Sequence, residues 1–220
     1  MNFSKKNLNL VNVNSLFSGK KLVLLAFVII FTSMSSCSDD DAVEIQKTGL
    51  TQQEEDDLKF SREEEKLARD VYLFSYDKYG EVVFNSIAGS EQQHMDQVLV
   101  LLNTYQLIDP ASAERGVFSN QVLQTLYNDL TTQSDISLLE AYKVGAIIED
   151  LDINDLDDLE SRTTNADLLN IYSKLKCGSR NHLRSYIELL VSNGFNYVPQ
   201  YISLDKFTAI INGTNEQCGR

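Results

Sequence analysis

The chain has 220 residues, with 19 Lys and Arg against 32 Asp and Glu, a formal charge of −13 and 43% hydrophobic residues. An acidic surface of this kind repels phosphate backbones, which argues against nucleic-acid binding, and it attracts cations. The length is enough for one domain with a sizeable core.

Residues 1–36 read as a signal peptide rather than as part of the fold. Lys5, Lys6, Lys20 and Lys21 precede an apolar run, Leu22 to Phe31, which is followed by Thr32-Ser33-Met34-Ser35-Ser36-Cys37. That order is a secretory signal, and its apolar run is far short of the roughly 20 residues a permanent span needs. Cys37 after two serines resembles the lipobox of bacterial lipoproteins, with Met34 where Leu is usual. The resemblance implies diacylation of Cys37, a lipid anchor in the membrane, and an outer-membrane address; secretion without lipid is the alternative. Residues 37–51 then form an acidic tether. Its Ser38-Asp39-Asp40-Asp41 resembles the surface-export signal of lipoproteins in the Bacteroidota, and as a solvated spacer it would look the same. Cleavage removes four lysines and no acid, so the mature charge falls from −13 to −17.

The rest reads as helix. A first long helix runs from Gln52 to about Lys78, with Leu58, Ala68, Tyr72 and Tyr79 on one stripe and Gly80 as its C-cap. A second runs from Val83 to Tyr105, carrying Phe84, Ile87, Ala88, Val98, Leu101 and Leu102. A short helix follows near Phe118–Leu130. Ser134-Asp135 is read as the cap of a third long helix, from Ile136 through Leu151 towards Leu159. Asn165 caps a fourth, Ala166 to Val191, closed by Asn193-Gly194. Residues 193–220 form a tail with an extended piece at Val198-Pro199-Gln200 and a short helix at Leu204–Ile211.

Loop lengths carry topology. The first and second long helices are joined by a few residues, as are the third and fourth, so each pair is an antiparallel hairpin. About thirty residues separate the hairpins, enough to travel the bundle's length and re-enter in the same direction. Residues 52–192 are therefore expected to be a ferritin-like four-helix bundle, all-α, with one long crossover.

The two histidines of the chain fall on these helices. His94 lies three residues after Glu91 on the second, and His182 lies on the fourth. Dimetal bundles place Glu-x-x-His on the second and fourth helices and a Glu on each of the others, because i, i+3 spacing puts carboxylate and imidazole on one face. Glu91 and His94 share a stripe with Ala88, Val98 and Leu102; Glu65 aligns with Leu58, Ala68 and Tyr72; Glu149 follows Tyr142 and Gly145. His182 lies with Leu175, Ser179 and Tyr186. Charged groups placed on core stripes are paired or coordinate metal.

The blocks Glu63 to Tyr72, Ser90 to Asp96 and Gly178 to Arg184 resemble the signature blocks of domain-of-unknown-function family 2202, a ferritin-like family, over roughly residues 50–212. The resemblance implies metal ligation by Glu65, Glu91, His94, Glu149 and His182. Ser179 stands where the dimetal pattern has its second Glu, with Asp152 or Glu64 as compensating acids. The expected cofactor is iron, as one or two ions, or another divalent transition metal, with iron oxidation or peroxide handling as its work. As neutral ligands the histidines would lose metal to protons below about pH 6. The alternative is a metal-free binding or structural module whose carboxylates pair with Arg69, Arg180 or Arg184 and with the histidines, as a relic of a metal site.

Cys177 and Cys218 either form a disulfide, stapling the tail to the fourth long helix, or remain two free thiols. Asp150-Leu151-Asp152-Ile153-Asn154-Asp155 opens like a calcium loop, but Asp155 sits where its Gly belongs and Ser161 where its bidentate Glu belongs. It reads as an acidic helix face. With no phosphate-cradling Gly loop and no Gly-x-Ser-x-Gly elbow, nucleotide binding and serine hydrolysis have no motif to rest on.

Overall fold

A computed structural model describes residues 49–218; the segment read as a signal peptide, Cys37 and most of the segment read as a tether lie outside the described residues. Six helices and no strand occur among them: α1 (Gln52–Tyr79), α2 (Val82–Thr104), α3 (Gln121–Ser134), α4 (Leu138–Ser161), α5 (Ala166–Ser192) and α6 (Leu204–Ile211). No described helix is long and apolar enough to cross a membrane.

Local chemistry sets the helix ends. Thr51 and Glu54 cap α1 reciprocally, the Thr51 side chain accepting from the Glu54 N–H while the Glu54 carboxylate accepts from the Thr51 N–H. Gly80 closes α1 at φ 70°, a left-handed conformation that Gly adopts without steric penalty. Asn165 caps α5 by accepting from the N–H groups of Asp167 and Leu168. The start of α4 corrects the sequence reading. Its cap is Ser137, whose Oγ accepts from the Glu140 N–H, while Ser134 ends α3 and Ile136 is left 72% exposed between the helices. Two capping-type residues occur in tandem, and the helix starts at the one that leaves Leu138 and Leu139 free to pack on the core.

Two linking residues, Gly80 and Glu81, fold α2 back along α1, and residues 162–165 fold α5 back along α4. The hairpins meet through α1 against α4 and α2 against α5. Thr163, just past α4, donates to Glu54 at the start of α1, at 2.5 Å. Tyr105, at the end of α2, donates to Asp167 at the start of α5, at 2.9 Å. Thus α1 runs antiparallel to α4, α2 antiparallel to α5, and α2 in the same direction as α4.

The charged face of α1 is buried because it holds the crossover. Arg62 pairs with Asp109. Lys66, fully buried, donates to Asp70 and to the Glu114 carbonyl and lies 4.3 Å from the centre of the Phe118 ring. Glu63 accepts from the N–H groups of Ser119 and Asn120, and Asp70 from that of Gly116. A loop that would otherwise leave its backbone donors unmet is thereby satisfied by side chains. Asp150 does the same for the tail. Its buried carboxylate accepts from the Tyr197 hydroxyl and the N–H groups of Gln200, Tyr201 and Ile202, which gives the first acid of the calcium-like run a structural role. Farther along, Glu216 pairs with Arg180 and Arg184, and Cys177 is disulfide-bonded to Cys218 with Cα atoms 5.4 Å apart.

Candidate metal centre

Two apolar clusters fill the bundle interior. One gathers Tyr72, Phe84, Ile148 and Tyr186; the other gathers Leu58, Val98, Leu102, Leu156, Leu168 and Leu175. Between these residues each long helix places polar side chains: Glu65 on α1, Glu91 and His94 on α2, Glu149 and Asp152 on α4, and Ser179 and His182 on α5. All seven are buried. The helical repeat explains the placement, since each side chain continues the stripe that is apolar on either side of it.

All five sequence-predicted ligands come together. Glu65, Glu91 and His94 bring one ligand atom each within 4.8 Å of one another, and so do Glu91, Glu149 and His182. Glu91 belongs to both groups. His94 Nδ1 lies 3.0 Å from Glu65 Oε2 and 2.8 Å from Glu91 Oε2. His182 Nδ1 lies 2.8 Å from Glu91 Oε1 and 3.6 Å from Glu149 Oε2. The ring centres are 5.7 Å apart. Behind this set, the Tyr72 hydroxyl donates to Glu149 Oε1 at 2.5 Å, and Ser90 Oγ sits 3.0 Å from His182 Nε2. Such outer contacts orient ligating groups.

Ser179 does not leave the fourth position empty of acid. Its hydroxyl donates to Asp152 Oδ2 and, at 2.9 Å, to the Leu175 carbonyl. A buried acid of α4, one turn beyond Glu149, thus stands against the position where α5 carries no carboxylate.

Sequence reasoning missed Gly178. A Cβ there would lie 2.4 Å from His94 Cε1 and 2.5 Å from Nε2, so the close approach of α5 backbone to the imidazole requires glycine. Gly145 likewise makes room for the Tyr186 ring, which a Cβ would meet at 2.4 Å. Each sits one helical step from a site residue, the only trace either leaves in the sequence.

Electrostatics show an excess of negative charge. Burial and neighbouring acids push the carboxyls of Glu64 and Asp152 well above the usual range, and burial lifts Glu65 to about 7 despite the adjacent His94. Glu91 is the exception: against its burial, the two imidazoles hold it well below the usual carboxylate range. Burial alone would lower both histidines, but Glu65 and Glu91 raise His94, and Glu91 and Glu149 raise His182 to about 10. No arginine shares the layer. Arg69 is bound to Asp70 and Gln92, and Arg180 and Arg184 to Glu216, so of the pairing expected for a metal-free centre only the histidine part is formed, by His94 with Glu65 and Glu91 and by His182 with Glu91 and Glu149.

A family described as "Uncharacterized protein domain (DUF2202)" matches residues 54–214. Over 174 residues the chain is 45% identical to "Uncharacterized protein MJ0754" of Methanocaldococcus jannaschii, covering 79% of this chain and 94% of that one. The crystal structure of hypothetical protein MJ0754 from Methanococcus jannaschii DSM 2661 is similar at a TM-score of 0.75 and 42% identity, covering 84% of this chain and 100% of that chain. On the extent of the match and the identity, the chain belongs to the DUF2202 family.

Proposed function

We propose that the mature protein is a lipid-anchored, extracytoplasmic ferritin-like protein whose carboxylate and histidine centre holds iron or another divalent transition metal, with a redox or peroxide-related role. The observation that carries this reading is Glu91, whose two oxygens each face a different histidine and so stand between two three-ligand groups. The shared direction of α2 and α4 supports the ferritin-like assignment, because that bundle needs one long crossover.

The residues fit such ions. Imidazole nitrogen with carboxylate oxygen suits iron, manganese and zinc rather than a soft ion. Glu65 Oε1 is buried without a hydrogen-bond partner, and His182 Nδ1 approaches Glu91 without hydrogen-bond geometry. Glu65 Oε1 would serve as a ligand atom as it stands, and His182 Nδ1 once a bound cation has displaced its proton. Bound iron would supply Lewis acidity and one-electron chemistry towards an oxidant. Glu65, Glu91, His94, Glu149 and His182 would hold it, with Glu91 common to both three-residue groups, and the Tyr72 hydroxyl would keep Glu149 oriented. The flanking apolar clusters limit water, which strengthens every charge interaction within.

Metal analysis and thermal melts of the mature protein test the centre. The melting temperature is expected to rise with the concentration of at least one of ferrous, manganous and zinc ions, by about 2.7 kcal/mol of stability at a hundredfold excess over Kd. No shift with any of them would overturn the metal reading and favour a metal-free display module. The anchor is tested separately: Cys37→Ala is expected to move the protein from the membrane fraction, with its outer-membrane and surface-exposed address, to the soluble fraction. A variant that stays with membranes, with no acyl group on the wild type, would refute the anchor.

A further inference from the structure

The polar layer continues past the two ligand groups. On α4 an acid stands at every third position from Glu149: Asp152, Asp155 and Asp158 follow it. Each such step rises about 4.5 Å and falls about 60° short of a full turn, so the row winds around the helix from core to surface. Glu149 and Asp152 are buried, Asp155 is half-buried and Asp158 is exposed. Facing the row, α1 contributes Glu65 and Glu64.

Glu64 is the unexplained member. It is 5% exposed, and neither carboxyl oxygen meets an N–H or O–H donor. Its close neighbours are the Asp155 and Asp152 carboxyls, and the contact with Asp155 is a hydrogen bond only while the two share a proton. The other buried acids around it have structural work: Glu63 and Asp70 hold the crossover, and Asp150 holds the tail. Glu64 holds nothing. A buried acid facing other acids is disfavoured unless a proton or a cation joins it.

We propose that this row is the route by which a divalent cation reaches the buried centre, entering at Asp158 and Asp155 and passing by way of Glu64 and Asp152 to Glu65 and Glu149. The inference rests on the metal reading above. A divalent ion gives up its hydration reluctantly, and carboxylate oxygens spaced about one helical turn apart replace its waters a few at a time. The ligands are oxygen only, which suits ferrous and manganous ions in transit and leaves the nitrogen ligands to the final site. No bond or oxidation state changes along the row.

Rapid mixing of the mature protein with manganous ion, the free ion being read by an indicator dye, tests the route. The pair Glu64→Gln, Asp155→Asn is expected to slow uptake at least tenfold while leaving the final number of bound ions unchanged. Its metal-free melting temperature should equal or exceed that of the wild type, because two facing acids are gone. A control pair that removes two exposed acids elsewhere, Asp77→Asn with Glu188→Gln, should load at the wild-type rate. If the paired variant does not fold, Glu64→Gln alone carries the test. Uptake at the wild-type rate, equal slowing in the control, or a lost ion with unchanged rate would each overturn the route and leave the centre standing. A wild type that binds no metal with any of the ions tried in the melts overturns both.

Discussion

Glu91→Ala is expected to abolish metal-dependent stabilisation and to unfold the metal-free protein at a much lower temperature. Glu91 is the one acid within 3 Å of both histidines, and they in turn hold it ionised. Removing one partner from a buried ion pair costs about 3–5 kcal/mol, since the other charge is left without compensation. For a domain of this size each kcal/mol moves the melting temperature by about 2–4 °C, so a fall of roughly 6–20 °C is expected. The informative comparison is Asp150→Asn. That change also removes a buried carboxylate from its donors, the three N–H groups and one hydroxyl of the tail, but it lies outside the polar layer. It should destabilise the protein while preserving the gain on adding metal. Melts with and without metal on both variants read the difference; an Asp150 variant that loses the metal gain, or a Glu91 variant that keeps it, contradicts the assignment of Glu91 as the shared ligand.

The long helices and their pairing were legible because two signals agreed. Apolar positions recur with the helical period, and Gly80, Asn165 and Asn193-Gly194 punctuate them. The tail helix, Leu204–Ile211, has the bounds expected of it. The ligand candidates were legible for the same reason, since a polar residue on an apolar stripe stands out. What stayed hidden were contacts with no period. Glu63, Lys66 and Asp70 lie in a run of charges that resembles a solvated face, and their partners, Glu114, Gly116, Ser119 and Asn120, sit in an irregular loop. Nothing in either segment alone announces the other. Gly178 was hidden differently, because a glycine within a helix shows a close approach only once the neighbouring helix is in place.

The pH dependence of the two states is expected to run in opposite directions. In the metal-free protein Glu64, Glu65, Glu149, Asp152, His94 and His182 all have folded-state values above their ordinary ones, burial being the largest cause for the acids and the neighbouring carboxylates prevailing over burial for the histidines. A raised group contributes its stability fully below its unfolded value and loses it as pH climbs through its folded one. For Glu65 that window runs from 4.5 to about 7, and for His182 from 6.5 to about 10. Glu91 has the reverse sign, but its contribution is present above 4.5 and lost only in strong acid. Between about pH 5 and pH 9 the metal-free melting temperature should therefore fall. Metal binding requires neutral imidazoles and ionised carboxylates, so it releases protons and strengthens over the same interval. The competition expected from ordinary histidines below about pH 6 is thus carried upward, and the increment on adding manganous or zinc ion should still be growing at pH 8. Melts at half-unit steps, with and without metal, measure both slopes. A metal-free melting temperature that rises with pH, or an increment that is flat above pH 6, would show that the histidines are not held by Glu65, Glu91 and Glu149 as the structure places them.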